Sequence, residues 1–255
     1  GKLRDQLGVL PPGDLRQCLV ALSEAPLLWR KLFLYRFETG DFEGHNFGNI
    51  FLAALEKVSS SYDETIETAS FVLKTKGKVI PVTHDKVHLV AEYENGKVVA
   101  GEGFIDENHS EKTKIRKAYL KPEAVASEKA IQSIENSDYL VIGPGDLYTS
   151  IIPVLLTNKI KESVSRSRAK IIYIMNLMTK SGQTTNYKAS DHVRDLEKYL
   201  GKKLDYVLVN SGKITDEILK TYHKYDEIEV ENDLKNSKYE VVSKDLIGDH
   251  EFKKE

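Results

Sequence analysis

Apolar and polar positions follow different periods in the two halves of the chain. In the first half, Leu, Phe and Ala recur at helical spacing through residues 13–38 and 46–73, which predicts three or four helices. A strand is predicted at 78–83. The segments 87–94 and 97–105 then alternate on either side of an Asn-Gly pair, which favours a two-residue hairpin turn. The first half therefore predicts a helical segment followed by an antiparallel hairpin.

From Asp138 onward, short apolar runs alternate with amphipathic stretches. The apolar runs predict parallel strands covered on both faces, at 139–142, 170–175 and 204–209. The amphipathic stretches predict helices at 152–166, at 191–199 with Ser190 as its cap, and at 215–223. The acidic stretch 226–232 predicts a surface connection. The predicted fold class is α/β: a Rossmann-like, mostly parallel sheet flanked by helices, with a helical segment and an antiparallel hairpin excursion, in a single domain over residues 1–255.

Composition narrows the class of protein. The 255 residues carry a formal net charge of −2, and the basic run 112–117 is short enough to be a solvated face, so no footprint for nucleic acid is expected. A single cysteine, Cys18, fits a reducing compartment. No apolar run approaches the roughly 20 residues that span a bilayer, and the mixed-charge start is unlike a signal peptide. The expectation is a cytoplasmic protein without a membrane span, and a homodimer is left open.

The first candidate site is the stretch 141–150, VIGPGDLYTS, where a strand ends in a glycine-rich turn. Ligands of open α/β sheets bind outside the carboxyl ends of the strands. Gly143 and Gly145 permit close approach of a phosphate to backbone N–H groups, and Tyr148, Thr149 and Ser150 add hydroxyl donors. The alternative is a tight strand-to-helix turn with Asp146 as an ordinary N-cap.

Two further polar stretches open helices in the first half. Asp14 fits an N-cap, whereas Arg16, in the same first turn, faces the positive end of the helix dipole and suits an anionic partner such as a phosphate. A structural ion pair with Asp5 or Asp14 is the alternative for Arg16. His45 and Asn49 lie four residues apart, flanked by glycines, and are predicted to share a helix face near a ligand; capping of the helix is the alternative.

The last candidate stretch, 176–184, follows the predicted strand 170–175. Its polar residues are expected on the same rim as the glycine-rich turn, because parallel strands end at one edge of a sheet. Asn176 and Thr179 are its candidate ligand contacts. Neither a nucleophile elbow nor metal-ligand spacing is present, so no catalytic residue and no metal site is assigned.

Six blocks of the sequence, in order between residues 1 and 211, resemble the YvcK-type gluconeogenesis-factor family (UPF0052). These blocks are GVLPPGDLRQCLVALSE, YRFETGDFEGHNFGNIFLAAL, GKVIPVT, VIGPGDLYTSIIPVLL, NLMTKSGQTTNYKASDHV and LDYVLVNS. That family shares a superfamily with the 2-phospho-L-lactate transferase CofD, and the chain is more similar to the YvcK branch.

The resemblance implies a CofD-like fold and a nucleotide or nucleotide-sugar ligand at the strand ends. YvcK-type proteins bind UDP-sugars and act in gluconeogenic growth and in the regulation of cell shape and peptidoglycan. The transferase relatives move a phospholactyl group from a nucleotide diphosphate donor with Mg²⁺, so a transferase of phosphorus-containing groups is the alternative, and whether the chain is an enzyme stays open. The implied ligand-lining positions are Asp14, Arg16, His45, Asn49, Gly143, Gly145, Tyr148, Thr149, Ser150, Asn176 and Thr179.

The chain departs from the resembled family in three places. The family's initial strand with its Gly-rich loop, and its terminal helix, have no counterpart in residues 1–255. Asp146 stands where the family commonly has Ser, and a carboxylate there repels a phosphate lying directly on the turn, unless it caps the helix or faces a metal. An NAD-binding oxidoreductase ranks last, since the G-x-G-x-x-G fingerprint is absent from these residues.

Overall fold

A bundle of helices forms the first of two compact units, Gly1–His84 and Asp85–Glu255. The computed structural model describes residues 7–108, 111–235 and 238–247. Within the described part of the first unit, four helices bury a small core against one another: α1 (Pro12–Ala21), α2 (Leu27–Leu34), α3 (Phe47–Val58) and α4 (Tyr62–Leu73). The shared apolar cluster consists of Leu19, Val20, Phe33, Leu52, Ala69 and Leu73. The prediction of three or four helices is confirmed.

Side-chain caps fix where two of these helices begin. Asn46 Oδ1 accepts from the Asn49 N–H at 3.2 Å at the start of α3, and Ser61 Oγ accepts from the Glu64 N–H at 3.1 Å at the start of α4. The prediction that Asp14 caps α1 is wrong. The helix begins earlier, at Pro12, because the fixed φ of proline suits the first helical position.

The predicted strand at 78–83 is also wrong, because this stretch forms neither helix nor strand. Val79 packs instead against the apolar cluster of the first unit. Pro81, within the same stretch, has no N–H to donate to a neighbouring strand.

The second unit opens with a three-stranded antiparallel sheet. Its strands are β1 (His88–Tyr93), β2 (Val98–Ala100) and β3 (Ile115–Lys121), in the order β2-β1-β3. The hairpin between β1 and β2 is confirmed, with Gly96 at φ +86° in its turn. Its second arm ends at Ala100, since Gly101 at φ +103° turns the chain into helix α5 (Glu102–Asp106). The basic run 112–117 enters β3, where Ile115 is buried while Lys112, Arg116 and Lys117 stay exposed, so these basic side chains form a solvated face as predicted.

A parallel four-stranded sheet follows, in the order β4-β5-β6-β7. Its strands are β4 (Tyr139–Ile142), β5 (Lys170–Ile174), β6 (Tyr206–Asn210) and β7 (Glu240–Lys244). Val141 pairs with Ile172 in the β4–β5 register, as predicted. Helices flank the sheet: α6 (Glu128–Glu135), α7 (Ile152–Leu155), α8 (Ile160–Arg166), α9 (Ala189–Leu200) and α10 (Asp216–His223). The α/β class is confirmed, while α6, β3 and β7 were not predicted.

Tertiary contacts alter two of the predicted helices. The helix expected at 152–166 is interrupted between α7 and α8, where Lys159 adopts φ +77° and Asn158 bridges to Val125. Ser190 does not cap α9, which begins at Ala189. The N–H and the hydroxyl of Ser190 instead donate to the carboxylate of Asp233, at 2.9 and 2.7 Å.

The stretch 226–232 is more than the predicted surface connection. The Thr179 N–H donates to the Ile228 carbonyl at 2.7 Å, and the Val230 N–H donates to the Leu177 carbonyl at 3.0 Å. Glu227 in this stretch is only 2% exposed. The segment is therefore fixed against the loop that follows β5.

Among the described residues, no helix has both the length and the apolar composition needed to cross a bilayer.

Candidate functional site

The turn after β4 is shaped by one glycine. Gly143 has φ +76°, a conformation that side chains disfavour, and an added Cβ would lie 3.1 Å from the Ile174 carbonyl oxygen and 3.3 Å from the Tyr173 ring. Gly145 differs, because its φ is not in the left-handed region and an added Cβ would make only ordinary contacts. The sequence thus requires glycine at Gly143, where the turn passes close to the end of β5.

Asn176 connects the loops that follow β4 and β5. Its side-chain amide donates to the Gly145 carbonyl at 2.7 Å, and its Oδ1 accepts from the Tyr173 hydroxyl at 3.2 Å. The two loops therefore lie side by side at the carboxyl edge of the sheet, where open α/β proteins bind ligands. This confirms that 176–184 lies beside the glycine-rich turn.

The three hydroxyl residues after the turn lie in different environments. They belong to a π-helical turn, Leu147–Ile151, a feature often found at functional sites. Tyr148 and Thr149 are buried, whereas Ser150 is exposed. The Tyr148 hydroxyl donates to Asp195 Oδ2 at 2.7 Å, so it is engaged in the core of the unit. Of the three predicted donors, Ser150 alone presents an exposed side chain.

Thr179 is likewise engaged inside the unit. Its Oγ1 accepts from the Ile228 N–H at 2.9 Å, and the residue is buried. Thr179 therefore holds the segment 226–232 against the site.

A lysine of the loop after β5, which sequence reasoning missed, lies beside the turn after β4. Lys180 Nζ lies 3.1 Å from Asp106 Oδ1 and 3.7 Å from Asp146 Oδ2. Asp146 occupies the N-cap position of the π-helical turn, as the alternative interpretation expected, but its side chain makes no capping hydrogen bond. We call Asp106, Asp146 and Lys180 the rim cluster. Its carboxylates come from α5 and from the turn after β4, and its ammonium comes from the loop after β5.

Burial and charge act in opposition within the rim cluster. Burial raises the pKa of Asp146, the Lys180 ammonium lowers it, and the carboxylate of Asp106 raises it again. Burial lowers the pKa of Lys180, but the carboxylates of Asp146 and Asp106 raise it above its ordinary value. Lys180 is therefore a fixed cation at the carboxyl edge, and Asp146 is a carboxyl group that protonates more readily than usual.

The candidate residues of the first unit form their own contacts. Arg16, 8% exposed, donates from Nε to Asn49 Oδ1 at 3.0 Å. Asp14 is exposed in the first turn of α1. His45 and Asn49 do not share a helix face, because His45 precedes the Asn46 cap. These residues belong to one unit and 143–179 to the other, so their contact with a common ligand stays a prediction. Asp5 lies outside the described residues.

The described residues contain no preformed metal cluster, although Mg²⁺ can be held by one or two carboxylates together with ligand phosphates. No group of three or more His, Cys, Asp or Glu side chains within the described ranges is arranged to hold a metal. The carboxylates of the rim cluster face a lysine instead.

Sequence reasoning missed Asp106, Lys180 and Gln183. Gln183 is buried and donates from Nε2 to both Asp106 Oδ1 and Thr149 Oγ1 at 3.2 Å. Lys180 and Gln183 lie within the polar stretch 176–184, and that polarity was the available signal. No such signal marked Asp106, because it follows a predicted hairpin arm that is distant in sequence from the stretch 176–184.

Together these features define an open α/β protein with polar loops gathered at the carboxyl edge of its parallel sheet. The sequence profile of the family described as "2-phospho-L-lactate transferase CofD" matches residues 1–247, and the chain belongs to this family.

Curated relatives carry a different name. The "Gluconeogenesis factor" of Bacillus subtilis is 41% identical over 253 residues, covering 97% of this chain and 79% of the relative. A Thermotoga maritima protein, with the same name marked as provisional, is 42% identical over 97% of this chain and 78% of its own length. A crystal structure of a Bacillus halodurans protein, described as a member of the UPF0052 family, superimposes with a TM-score of 0.89 at 36% identity, over 96% of this chain and 80% of that chain. These names support a role related to gluconeogenesis.

Proposed function

We propose that the protein is a cytoplasmic nucleotide-sugar-binding factor of the UDP-sugar type, needed for gluconeogenic growth and for the regulation of cell shape and peptidoglycan. The names of its relatives support the gluconeogenic part. The binding part rests on one observation: the loops after β4 and β5 lie side by side, joined by the Asn176–Gly145 hydrogen bond. This is the position at which open parallel sheets receive nucleotides.

The polar groups around this position suit a ligand with both phosphates and hydroxyls. Lys180 supplies a cation, Ser150 an exposed hydroxyl, and Asp106 and Asp146 supply acceptors. A nucleotide-sugar presents charge at its diphosphate and hydroxyl donors on its sugar, so both kinds of group find a partner. A purely apolar ligand finds none.

A transferase is the second candidate, because the matching family is described by a phospholactate transfer activity. Such a protein moves a phospholactyl-like group from a nucleotide diphosphate donor to an acceptor. Asp146, whose pKa is raised by burial, has the character of a proton-transferring carboxyl group. An NAD-binding oxidoreductase remains the lowest-ranked hypothesis, because the G-x-G-x-x-G fingerprint is absent from these residues.

Calorimetric titration tests the binding function. The protein is titrated with UDP-glucose, UDP-N-acetylglucosamine, GDP and NAD, and we expect saturable binding of at least one UDP-sugar. Ser150→Tyr adds bulk at the exposed rim and should weaken that binding at least about tenfold, the scale of one lost contact to a charged ligand. Ser133→Tyr, at an exposed serine of α6, is the matched control and should leave it unchanged.

A second assay separates binding from transfer. The protein is incubated with nucleotide diphosphate donors, an acceptor and Mg²⁺, and free nucleotide is measured. A binding factor releases none, whereas a transferase releases nucleotide in proportion to the acceptor consumed. Binding of NAD with no binding of any UDP-sugar would reject the proposal in favour of the oxidoreductase.

A further inference from the structure

The rim cluster places two carboxylates around one ammonium, with all three side chains reaching solvent. The side chains of Asp106, Asp146 and Lys180 are 41%, 35% and 20% exposed. Each comes from a different segment, and two of these segments are the loops after β4 and β5. The cluster is thus accessible from outside while being part of the proposed binding edge.

One carboxylate of the cluster is fixed by a buried amide. Gln183 Nε2 lies 3.2 Å from Asp106 Oδ1 and 3.2 Å from Thr149 Oγ1. Lys180 Nζ approaches the same Asp106 oxygen at 3.1 Å. Two donors therefore hold Asp106 in place beside Asp146, so that the acceptors of the cluster are positioned before any ligand arrives.

The charge of the cluster decides which ligand group it suits. Two carboxylates against one ammonium leave an excess negative charge, and the buried Glu227 adds to the field at Asp146. A phosphate placed on Asp146 would meet like charge. A hydroxyl group instead donates to a carboxylate in a charge-assisted hydrogen bond, which is among the stronger hydrogen bonds in proteins.

We propose that Asp146 and Asp106, held by Lys180 and Gln183, bind the hydroxyl groups of the ligand's sugar and determine specificity for a sugar-bearing nucleotide over the bare nucleotide. The inference rests on the proposed function and assigns the contact within it.

A purely structural ion bridge between loops is the competing interpretation. Exposed ion pairs contribute little to stability, and a bridge acting only on the fold would change the melting temperature without changing ligand preference. The two interpretations therefore differ in which quantity responds to loss of the charge.

The test compares UDP-glucose, UDP-N-acetylglucosamine and UDP by calorimetric titration at one fixed salt concentration. The measured quantity is the ratio of the Kd for UDP to the Kd for the tighter-binding sugar nucleotide. In Asp146→Asn and Asp106→Asn we expect this ratio to fall about tenfold or more, through weaker sugar-nucleotide binding, the scale of a lost hydrogen bond to a charged group. Affinity for UDP itself should stay the same or increase, since a repelling charge is removed.

Glu135→Gln is the matched control. Glu135 is a carboxylate in an ion pair with Arg166, and its side chain is 32% exposed, close to the 35% of Asp146. It lies at the end of α6, away from the loops after β4 and β5, so the ratio should not change. Thermal unfolding of every variant establishes that it is folded, and Asp106→Asn carries the test if Asp146→Asn does not fold.

The outcomes separate the two levels of the proposal. Sugar-nucleotide binding with an unchanged ratio in both variants overturns the sugar contact and leaves the binding function intact. A fall in UDP affinity equal to that of the sugar nucleotide also overturns it, because the cluster would then act on the nucleotide itself. Absence of binding of every nucleotide to the wild-type protein overturns the binding function and the sugar contact together.

Discussion

The Nε of Arg16 donates a hydrogen bond to Oδ1 of Asn49 at 3.0 Å and joins α1 to α3 in the helical unit. Arg16 is buried, with its aliphatic chain beside Gly48. The sequence led us to expect that Arg16 binds an anionic partner such as a phosphate. Its burial adds a structural role within the bundle, whereas its contact with a ligand stays a prediction.

Arg16→Ala should therefore destabilise the unliganded protein. Loss of a buried hydrogen bond to a charged group costs about 2 kcal/mol, which lowers the melting temperature by about 4–8 °C. The melting temperature of Arg16→Lys should lie between those of wild type and Arg16→Ala, because the lysine ammonium lacks the planar hydrogen-bonding fork of arginine. Arg30→Ala, at an exposed position of α2, is the control for loss of a cation. A melting temperature lowered by no more than about 2–4 °C for Arg16→Ala, with weakened nucleotide binding, would restore the original expectation.

Two glycines of the turn after β4 should respond differently to alanine. Gly143→Ala should cost about 1–3 kcal/mol, because the residue would have to hold φ +76° with its Cβ only 3.1 Å from the Ile174 carbonyl oxygen. Gly145→Ala should be neutral or slightly stabilising, since its Cβ meets nothing closer than 3.5 Å. Urea unfolding of both variants measures the difference, and equal losses would contradict the close approach at Gly143.

A second glycine pair tests the packing of the helical unit. A Cβ at Gly48 would lie 2.6 Å from the Phe33 carbonyl oxygen and 2.8 Å from Arg16 Cδ, so Gly48→Ala should cost about 1–3 kcal/mol. Gly13, in the first turn of α1, has no atom within 4 Å of an added Cβ. Gly13→Ala should stabilise the unit by about 0.5–1 kcal/mol, as expected for a helical position. Thermal unfolding of the two variants should shift in opposite directions.

Buried His192 should make the protein less stable in acid. It is 1% exposed, and within the described part of the chain neither ring nitrogen has a hydrogen-bond partner. Burial lowers the pKa of His192 from its ordinary 6.5 to about 4, although the carboxylates of Asp195 and Asp191 act in the opposite direction. Between these values the unfolded state binds a proton that the folded state does not, so stability falls as pH decreases from about 6.5 to about 4. The full loss is about 3 kcal/mol.

Urea unfolding between pH 7 and pH 4.5 measures this dependence. His192→Phe keeps an aromatic ring in the site but removes the titrating group, so its stability should depend less steeply on pH. His223→Gln removes an exposed histidine at the end of α10 and should keep the wild-type slope. Equal slopes for all three proteins would show that His192 is not the source.

The hydroxyls of Tyr148 and Tyr187 both donate to Oδ2 of Asp195, each at 2.7 Å. Burial raises the pKa of both tyrosines, so they remain protonated donors near neutral pH. Tyr148→Phe and Tyr187→Phe should each cost about 1–3 kcal/mol, and the double variant more than their sum, because Asp195 then loses both donors. Tyr139→Phe, at an exposed position of β4, should cost little. An additive double variant would indicate that the two bonds act independently.

Local pattern was sufficient for the elements whose own residues decide their structure. The apolar run of β5, the Asn95-Gly96 turn and the periodic face of α9 are properties of neighbouring residues, and each was predicted at or near its observed position. The glycine-rich turn at 143–145 was also predicted from local sequence, because φ is a local property and glycine alone tolerates +76° without strain.

Tertiary structure decided which side chains meet. The stretch 78–83 is neither helix nor strand, and its Val79 packs against helices. Helices α7 and α8 are separate where Asn158 forms a bridge to Val125. The sequence predicted Tyr148 to be a ligand donor, but the fold places Asp195, 47 residues later in the sequence, beside its hydroxyl. Asp106 belongs to the rim cluster because the fold brings it next to Lys180, which lies 74 residues later in the sequence. Sequence patterns record the preferences of neighbours, whereas contacts over such separations depend on how the whole sheet and its helices pack.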